Sequence, residues 1–547
     1  MVNTLRVLAV SGPHWPIRPK EVCIKSLSAA SPFSLQNAVR QAAGFAADGV
    51  GVWADSNWTN LEGRQESVLL LEFMDEARII LEERLATLKP NLVLIGAMTL
   101  GFRGAIEVAR LVRNALGSQC LIVLGGKHAN ETMRVFASQV TLLPSSPLTL
   151  MQKGVIECSD NKPLFDLVVS GDGEELITVL GEIVYERTRL GGIVSDAIGD
   201  GRQLKRAKGN WCAGWLQDGA IHTIKSAGLV IPFDKVPTAP SLFGLQSRFP
   251  VFDGGLTGHA YSDMGRGCRY NCFFCSERVV LNGRPHSHGD PVSRLYRHLE
   301  DIWIAGGKGE CGMIGAFVED SILLGGHDRY ITNLVEHLIA NPLPGLKVGC
   351  QLTVNDIARL KSNQSLARFA NAGIDYVAFG METINEGVAS RMSKHRRPGL
   401  WSEANRSALE FLSESRLLAG VFLLWGLGEN QWEREHQIQQ LLEWKDRYNG
   451  QPCAVGLNWA TLHPGVVPDV DNEKNRWPTS THEMTHSTTL PDFVEWGTLP
   501  ESGRLQAFVE LFGEASENYP YYCGVIPSEH ELTRLRPLCR KLLADPP

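Results

Sequence analysis

The chain has 547 residues and a formal net charge of -7, with 44% hydrophobic and 21% charged residues, an ordinary globular balance with length for about three domains. The mildly acidic balance disfavours a nucleic-acid-binding surface. No apolar run reaches the roughly 18 residues of a membrane helix, and MVNTLRVLAVSG lacks the regions of a signal peptide. A soluble, cytoplasmic protein is expected, without nucleic-acid or membrane partners.

LRVLAVSG is a predicted strand that meets a turn at Ser11, Gly12, Pro13 and His14. GVGVWAD is a second strand and PNLVLIGAMTLG a third, followed by the helix GAIEVARLVRNAL. SQCLIVLGGKHAN supplies a fourth strand and a glycine turn, and FDLVVSGDGEELITVLGEIV a fifth strand, a turn and a helix. This alternation predicts a doubly wound, Rossmann-like α/β domain over 1–194. Such a sheet takes its ligand at the strand carboxyl ends near the topological switch. A nicotinamide site needs G-x-G-x-x-G after the first strand, and SGPHWP is not that. Residues 195–255 read as a linker, with a hairpin signalled by Asp218-Gly219 in GNWCAGWLQDGAIHTI.

GRGCRYNCFFC follows, placing Cys268, Cys272 and Cys275 at the spacing C-x3-C-x2-C. The remaining cysteines are scattered and read as small buried hydrophobes in a reducing compartment. A disulfide would leave one of the three thiols over. A closed zinc site wants four protein ligands, and the nearby His286 and His288 sit in the polar turn GRPHSHGD. A cubane 4Fe–4S cluster held by three thiolates keeps its fourth iron open, which makes the missing fourth cysteine the functional feature.

Downstream, HLEDIWIAGG is helical and GMIGAFVEDS is a strand ending in Glu319 and Asp320. LVEHLIAN (helix), LKVGCQLTV (strand), SLARFANAG (amphipathic helix ending at Gly373) and IDYVAFGMET (strand) come next. A helix through Met392–Lys394, the helix ALEFLSESR, the strand LAGVFLLWGLGE, the helix HQIQQLLEWK and a last strand CAVGLNWATLHPG complete the pattern. It predicts a partial (β/α)6 barrel over 256–470, with active groups at the strand carboxyl ends. Residues 471–547 read as a small, mainly helical capping region. LQAFVELFGEA and ELTRLRPLCRKLL are its helices, with Tyr519, Tyr521 and Tyr522 between them. His482 to His486 matches the zinc motif H-E-x-x-H, but Pro478, Pro491 and the threonines make a poor helix, so no metal is expected there.

The cysteine stretch resembles the signature of the radical S-adenosylmethionine (SAM) superfamily, and the first region resembles the cobalamin-binding domain that precedes many of its barrels. The resemblance implies that Cys268, Cys272 and Cys275 hold a 4Fe–4S cluster whose open iron chelates the amino and carboxylate groups of SAM, with Phe274 meeting the adenine. Tyr376 to Thr383, YVAFGMET, resembles the family strand ending in Gly-x-Glu, so Glu382 is implied to reach SAM, and Met392–Lys394 resembles the usual continuation. Trp425 to Asn430, WGLGEN, resembles a Gly-x-Pro-Gly-Glu turn with Leu427 in place of proline, implying SAM contacts from Gly426 and Glu429.

On the cobalamin side the resemblance implies Ser11 and Gly12, Thr99, Gly125 and Gly126, and Gly171, Gly173 and Glu174. The last group resembles Gly-Glu-Gly-Glu with Asp172 replacing the first glutamate. His14 lacks the flanking residues of Asp-x-His-x-x-Gly, the motif that ligates cobalt from below, so it reads as a turn residue. The implied activity is methylation of a poorly activated carbon of a small molecule, in natural-product (antibiotic) biosynthesis. In the family, SAM both remethylates the cobalamin and generates a substrate-activating radical, and an electron donor such as flavodoxin or ferredoxin is implied. Rearrangement, cyclisation, ring contraction, methylthiolation or a polar, tryptophan-type methylation on the same cofactors stand as alternatives, as does a non-catalytic cobalamin or cluster sensor.

Overall fold

The computed structural model describes residues 5–12, 65–69, 74–97, 102–136, 138–156, 162–228, 238, 240, 245, 247–262, 268–270, 272, 274, 275, 277, 289–310, 312–392, 394, 399–425, 429–459, 507–509 and 529–543. These divide into two compact units, one of described residues up to 243 and one of those from 244 on.

The first unit is built on β1 (Arg6–Ser11), β2 (Gln65–Leu69), β3 (Leu92–Gly96), β4 (Leu121–Gly125) and β7 (Leu167–Gly171). A small antiparallel hairpin of β5 (Met133–Phe136) and β6 (Gln139–Leu142) lies outside that sheet. The sheet runs β2-β1-β3-β4-β7, all parallel, so its direction of growth switches between β1 and β3.

Alternate residues of each strand feed two separate cores, as a sheet covered on both faces requires. Leu8, Val10, Val93, Ile95, Ile122 and Leu124 face one core with α1 (Met74–Leu88) and α2 (Phe102–Leu116). Val7, Ala9, Leu92, Leu94, Leu121 and Val123 face the other with α5 (Glu174–Arg189). Two short helices, α3 (Lys127–Thr132) and α4 (Pro147–Gln152), precede α5.

The strand beside β1 is Gln65–Leu69, whereas GVGVWAD lies outside the described residues. The hairpin β8 (Trp211–Gln217) and β9 (Ala220–Lys225) extends the first sheet, β8 pairing antiparallel with β7. The predicted linker is therefore divided, because the apolar run of β8 completes an edge of that sheet, while β10 (Ser247–Arg248) pairs in the second unit.

The second unit is a half-barrel sheet. After β10 come β11 (Leu256–Ala260), β12 (Ile314–Val318), β13 (Leu346–Leu352), β14 (Ile374–Glu382), β15 (Leu418–Trp425) and β16 (Ala454–Trp459), neighbours in chain order and parallel. Its helices are α6 (Pro291–Ala305), α7 (Asp328–Ala340), α8 (Val354–Ser362), α9 (Glu386–Arg391), α10 (Trp401–Glu414) and α11 (Gln431–Arg447).

The helix expected at SLARFANAG is only two short 3-10 turns. The covering helix is the earlier α8, started by a reciprocal capping box between Thr353 and Asp356 and ended at Asn363. β16 is not the last strand either. Residues Ala507–Val509 form β17, parallel to β16, where a helix was predicted. α12 (Glu529–Leu543) lies along α11, with Arg534 on Glu435 at 2.6 Å and Lys445 Nζ on Leu542 O at 2.8 Å. No helix among the described residues is long and apolar enough to cross a membrane.

The inside of the half-barrel is filled by aromatic rings. Phe249 and Phe252, just ahead of β11, pack edge-on against Phe317 of β12 and Tyr376 of β14. Glycines make the room: a Cβ on Gly349 would lie 2.9 Å from Phe252 Cζ. One on Gly420 would overlap the Tyr376 hydroxyl and lie 2.7 Å from its Cζ. Gly420→Ala should cost about 1–3 kcal/mol by overpacking, and Tyr376→Phe in the same chain should restore part of it. Urea denaturation of the two single variants and the double variant checks this; additive losses would contradict it.

Candidate cofactor site

β11 leads in sequence to the cysteine loop, and two carboxylates, Asp320 and Asp356, hold the described residues on either side of Cys268. Asp320, at the end of β12 and 2% exposed, accepts hydrogen bonds from Ser262 N at 3.0 Å, from the Ser262 hydroxyl and from Leu324 N at 3.1 Å. Past Cys268, Arg269 donates to Asp356 at 2.6 Å, the capping-box carboxylate of α8, which Arg359 also meets. Within the loop, Tyr270 N points at Cys268 Sγ at 3.5 Å, and Cys275 N donates to Cys272 O at 3.2 Å. His259 of β11 pairs its Nδ1 with Glu319, so the first of the two predicted strand-end acids is engaged there.

The three thiols are half-buried. Burial pushes the Cys268 thiol up to about 11, and burial also raises Cys272 against the pull of Lys394. Loading a metal here is therefore linked to release of thiol protons. Among the described residues no three His, Cys, Asp or Glu converge on one point, as a single ion at about 2.3 Å from each sulfur would need. A cluster that gives each thiolate its own iron has no such requirement.

The register of β14 against β15 slips between Gly380 and Glu382, and Glu382 takes φ 56. That left-handed conformation costs a non-glycine residue roughly 1–3 kcal/mol. It accompanies a buried carboxylate. Oε1 pairs with Lys394 Nζ, and Oε2 is sealed from solvent with no hydrogen-bond partner. Lys394 Nζ lies 5.8 Å from the ring centre of Phe274. Burial works to lower the Lys394 value, but Glu382, Cys272 and Cys275 beside it raise it on balance, so it stays an ammonium. Gly380 leaves room for the pair, since a Cβ there would lie 2.5 Å from Lys394 Nζ and 2.7 Å from Glu382 Oε2.

Cys272, Cys275, Phe274 and Glu382 are thus brought together, with Lys394 among them. An orphaned carboxylate oxygen beside an ammonium matches the amino and carboxylate groups of an α-amino acid. With three thiols on the adjacent loop, the residues present fit a cluster carrying SAM. In the sequence Lys394 was legible only as the end of a familiar segment. Glu429 is placed differently: it forms a buried ion pair with Arg434 of α11 at 3.0 Å. Gly426 lies outside the described residues.

In the first unit the predicted cobalamin residues collect at the carboxyl edge. Gly12 N donates to Gly96 O at 2.8 Å, Ala97 N to Gly125 O at 3.1 Å and His128 N to Ala97 O at 3.0 Å. Gly126 has φ 92, and a Cβ there would lie 2.8 Å from Ala97 N, so only glycine fits. Asn130, not singled out in the sequence, accepts from Gly171 N at 2.8 Å. Gly173 caps α5 with nothing within 4 Å of a Cβ position, and Glu174 is buried in the first turn. Asp172 turns toward the hairpin, accepting from Asn210 N at 2.9 Å.

Burial lowers His128, stacked on Phe102 at 3.9 Å, to about 4, which makes it a neutral core residue. Ser11 ends β1. Thr99, His14 and the 482–486 motif lie outside the described residues. The open backbone at Gly173, beside close-packed Gly126, fits a broad ligand lying across this edge.

Anaerobically reconstituted protein should hold about four irons per chain. The triple variant Cys268→Ala, Cys272→Ala, Cys275→Ala should hold none above background in the same iron assay. A full cluster in that variant would contradict the assignment.

No family model matches the chain. An uncharacterized methyltransferase of Pyrococcus horikoshii is 25% identical over 343 residues, 62% of this chain and 61% of the relative. The anaerobic magnesium-protoporphyrin IX monomethyl ester cyclase of Cereibacter sphaeroides is 23% identical over 387 residues, 70% of this chain and 53% of the cyclase. The chain thus spans less than two thirds of the length of these curated relatives. The solved structure of the radical SAM methyltransferase TsrM from Kitasatospora setae, with cobalamin and a 4Fe–4S cluster bound, matches at TM-score 0.52 and 16% identity over 85% of this chain and 74% of that one. The α/β architecture with its half-barrel is the fold of that solved structure.

Proposed function

We propose that this chain is a cobalamin-dependent radical SAM methyltransferase acting on a poorly activated carbon of a small molecule in natural-product biosynthesis, with a flavodoxin- or ferredoxin-type electron donor. The observation that carries the reading is the meeting of the three-cysteine loop with the buried Glu382–Lys394 pair. When bound, the cluster supplies the electron that cleaves SAM, and cobalamin supplies a store of methyl groups.

The chain's own residues bind and orient. Glu382 offers its unpartnered oxygen as a hydrogen-bond acceptor to the SAM amino group, Lys394 faces the carboxylate, and Phe274 lies against the adenine. A hydrogen bond from the amino group satisfies the buried carboxylate oxygen, and the Lys394 ammonium remains compensated by carboxylates. The aromatic filling of the half-barrel closes its interior to water below the strand ends. In the first unit Gly12, Gly125, Gly126, Gly171 and Gly173 let backbone approach the corrin and its tail.

A second reading, ring formation on the same cofactors, is favoured by the likeness to the magnesium-protoporphyrin cyclases. The sensor reading is disfavoured by the SAM-matched pair at the cluster loop.

Anaerobic purification followed by extraction should recover cobalamin and SAM-derived ligands, and their absence after reconstitution with both would overturn the proposal. Label from methyl-labelled SAM should enter the product, with 5'-deoxyadenosine and S-adenosylhomocysteine released together. S-adenosylhomocysteine alone with a methylated product indicates polar transfer. Deoxyadenosine with an unmethylated product rejects methylation in favour of ring formation. The sequence around His14 further predicts cobalt without a protein nitrogen below it. Nitrogen splitting in the Co(II) electron paramagnetic resonance spectrum that vanishes in His14→Ala would contradict that.

A further inference from the structure

Glu382 is held in a backbone conformation that it would not adopt alone, and the holding is done from the next strand and helix. Gln437 of α11 donates its Nε2 to Glu382 O at 3.1 Å, and its Oε1 accepts from Trp425 Nε1, the last residue of β15, at 2.8 Å. Gln437 and Trp425 are each 2% exposed, so neither bond has water as a ready substitute. Trp401 Nε1 of α10 donates to the following carbonyl, Thr383 O, at 2.7 Å. Two successive carbonyls after the register slip are therefore tied to separate helices.

The chemistry of this relay has one direction. An indole nitrogen only donates and a carbonyl oxygen only accepts. A glutamine between them satisfies both with a single orientation of its amide, oxygen toward Trp425 and nitrogen toward Glu382. A glutamate, leucine or methionine there would leave a buried polar group unmatched. If the peptide after Glu382 relaxed toward an extended conformation, its carbonyl would leave Gln437 and the carboxylate would leave Lys394.

We propose that Gln437, oriented by Trp425, is a positioning residue for SAM: it keeps Glu382 left-handed so that its unpartnered carboxylate oxygen is presented to the SAM amino group. The inference rests on the reading that SAM binds at the Cys268, Cys272 and Cys275 cluster.

The test is equilibrium binding of SAM to reconstituted full-length protein, with iron content measured alongside. Gln437→Met should retain its iron and weaken SAM binding roughly tenfold, the scale of one buried hydrogen bond lost with its partners left unpaired. Trp425→Phe, which keeps the ring and removes the N–H, should weaken it less in the same direction. In a Glu382→Gln background, where the carboxylate is already gone, Gln437→Met should have little further effect. In the apoprotein, Gln437→Met should speed amide hydrogen exchange across residues 382–384.

Wild-type affinity in Gln437→Met, or an equal loss with and without the Glu382 carboxylate, overturns the positioning role and leaves the functional reading standing. Wild-type protein that loads iron but does not bind SAM overturns the reading and the inference with it. Should Gln437→Met fail to load iron, Trp425→Phe carries the same comparison, and unchanged SAM affinity in it overturns the role.

Discussion

A carboxylate taken out of water is stable only when cations and hydrogen-bond donors replace its hydration, and Glu382 meets that condition on one oxygen alone. Lys394 compensates Oε1, while Oε2 is buried beside a loop of three half-buried thiols. Keeping a residue there takes a left-handed backbone, a slipped register, a glycine two residues earlier and two helices tied to consecutive carbonyls. Each device is costly or neutral for folding by itself. Together they hold one hydrogen-bond acceptor and one ammonium ready for the amino and carboxylate groups of a ligand, which is the pattern expected of backbone strain stored at a functional site.

The rest of the half-barrel follows from placing that pair at the strand ends. Asp320 ties the exit of β11 to β12, and Asp356 anchors Arg269 of the cysteine loop to α8, so the chain on either side of Cys268 is held by its neighbours. Beneath, glycines at 349 and 420 admit Phe252 and Tyr376 into the interior. The first unit uses glycine for a different purpose: Gly126 brings β4 against β3, while Gly173 leaves the start of α5 uncovered. One position is glycine because the backbone is crowded, the other in a place where the backbone is open.

The order of strands was legible because it depends on short apolar runs separated by turn residues, and these are local. Where long-range pairing decides, the sequence was misleading. AFV in LQAFVELFGEA looks helical by its flanks, yet Ala507–Val509 pairs with β16. The helix after β13 was misplaced because SLARFANAG carries apolar residues at helical spacing just as VNDIARLKS does, while the capping box at Thr353 and Asp356 is what starts a helix. At the candidate site, Cys268, Cys272 and Cys275 stood out by their spacing and Glu382 by the resemblance of YVAFGMET to a Gly-x-Glu strand. Lys394 and Gln437 did not, because their meaning comes from what they meet across the fold. The ion pair of Glu429 with Arg434 was likewise not legible, because Arg434 was not singled out in the sequence.

The central claim is that the open iron of a three-cysteine cluster takes the amino-acid end of SAM beside Glu382 and Lys394. Electron–nuclear double resonance on the reduced, reconstituted protein with SAM labelled by nitrogen-15 at its amino group tests it most directly. The account predicts hyperfine coupling between the cluster and that nitrogen, the signature of direct ligation. SAM that binds with no such coupling would contradict it.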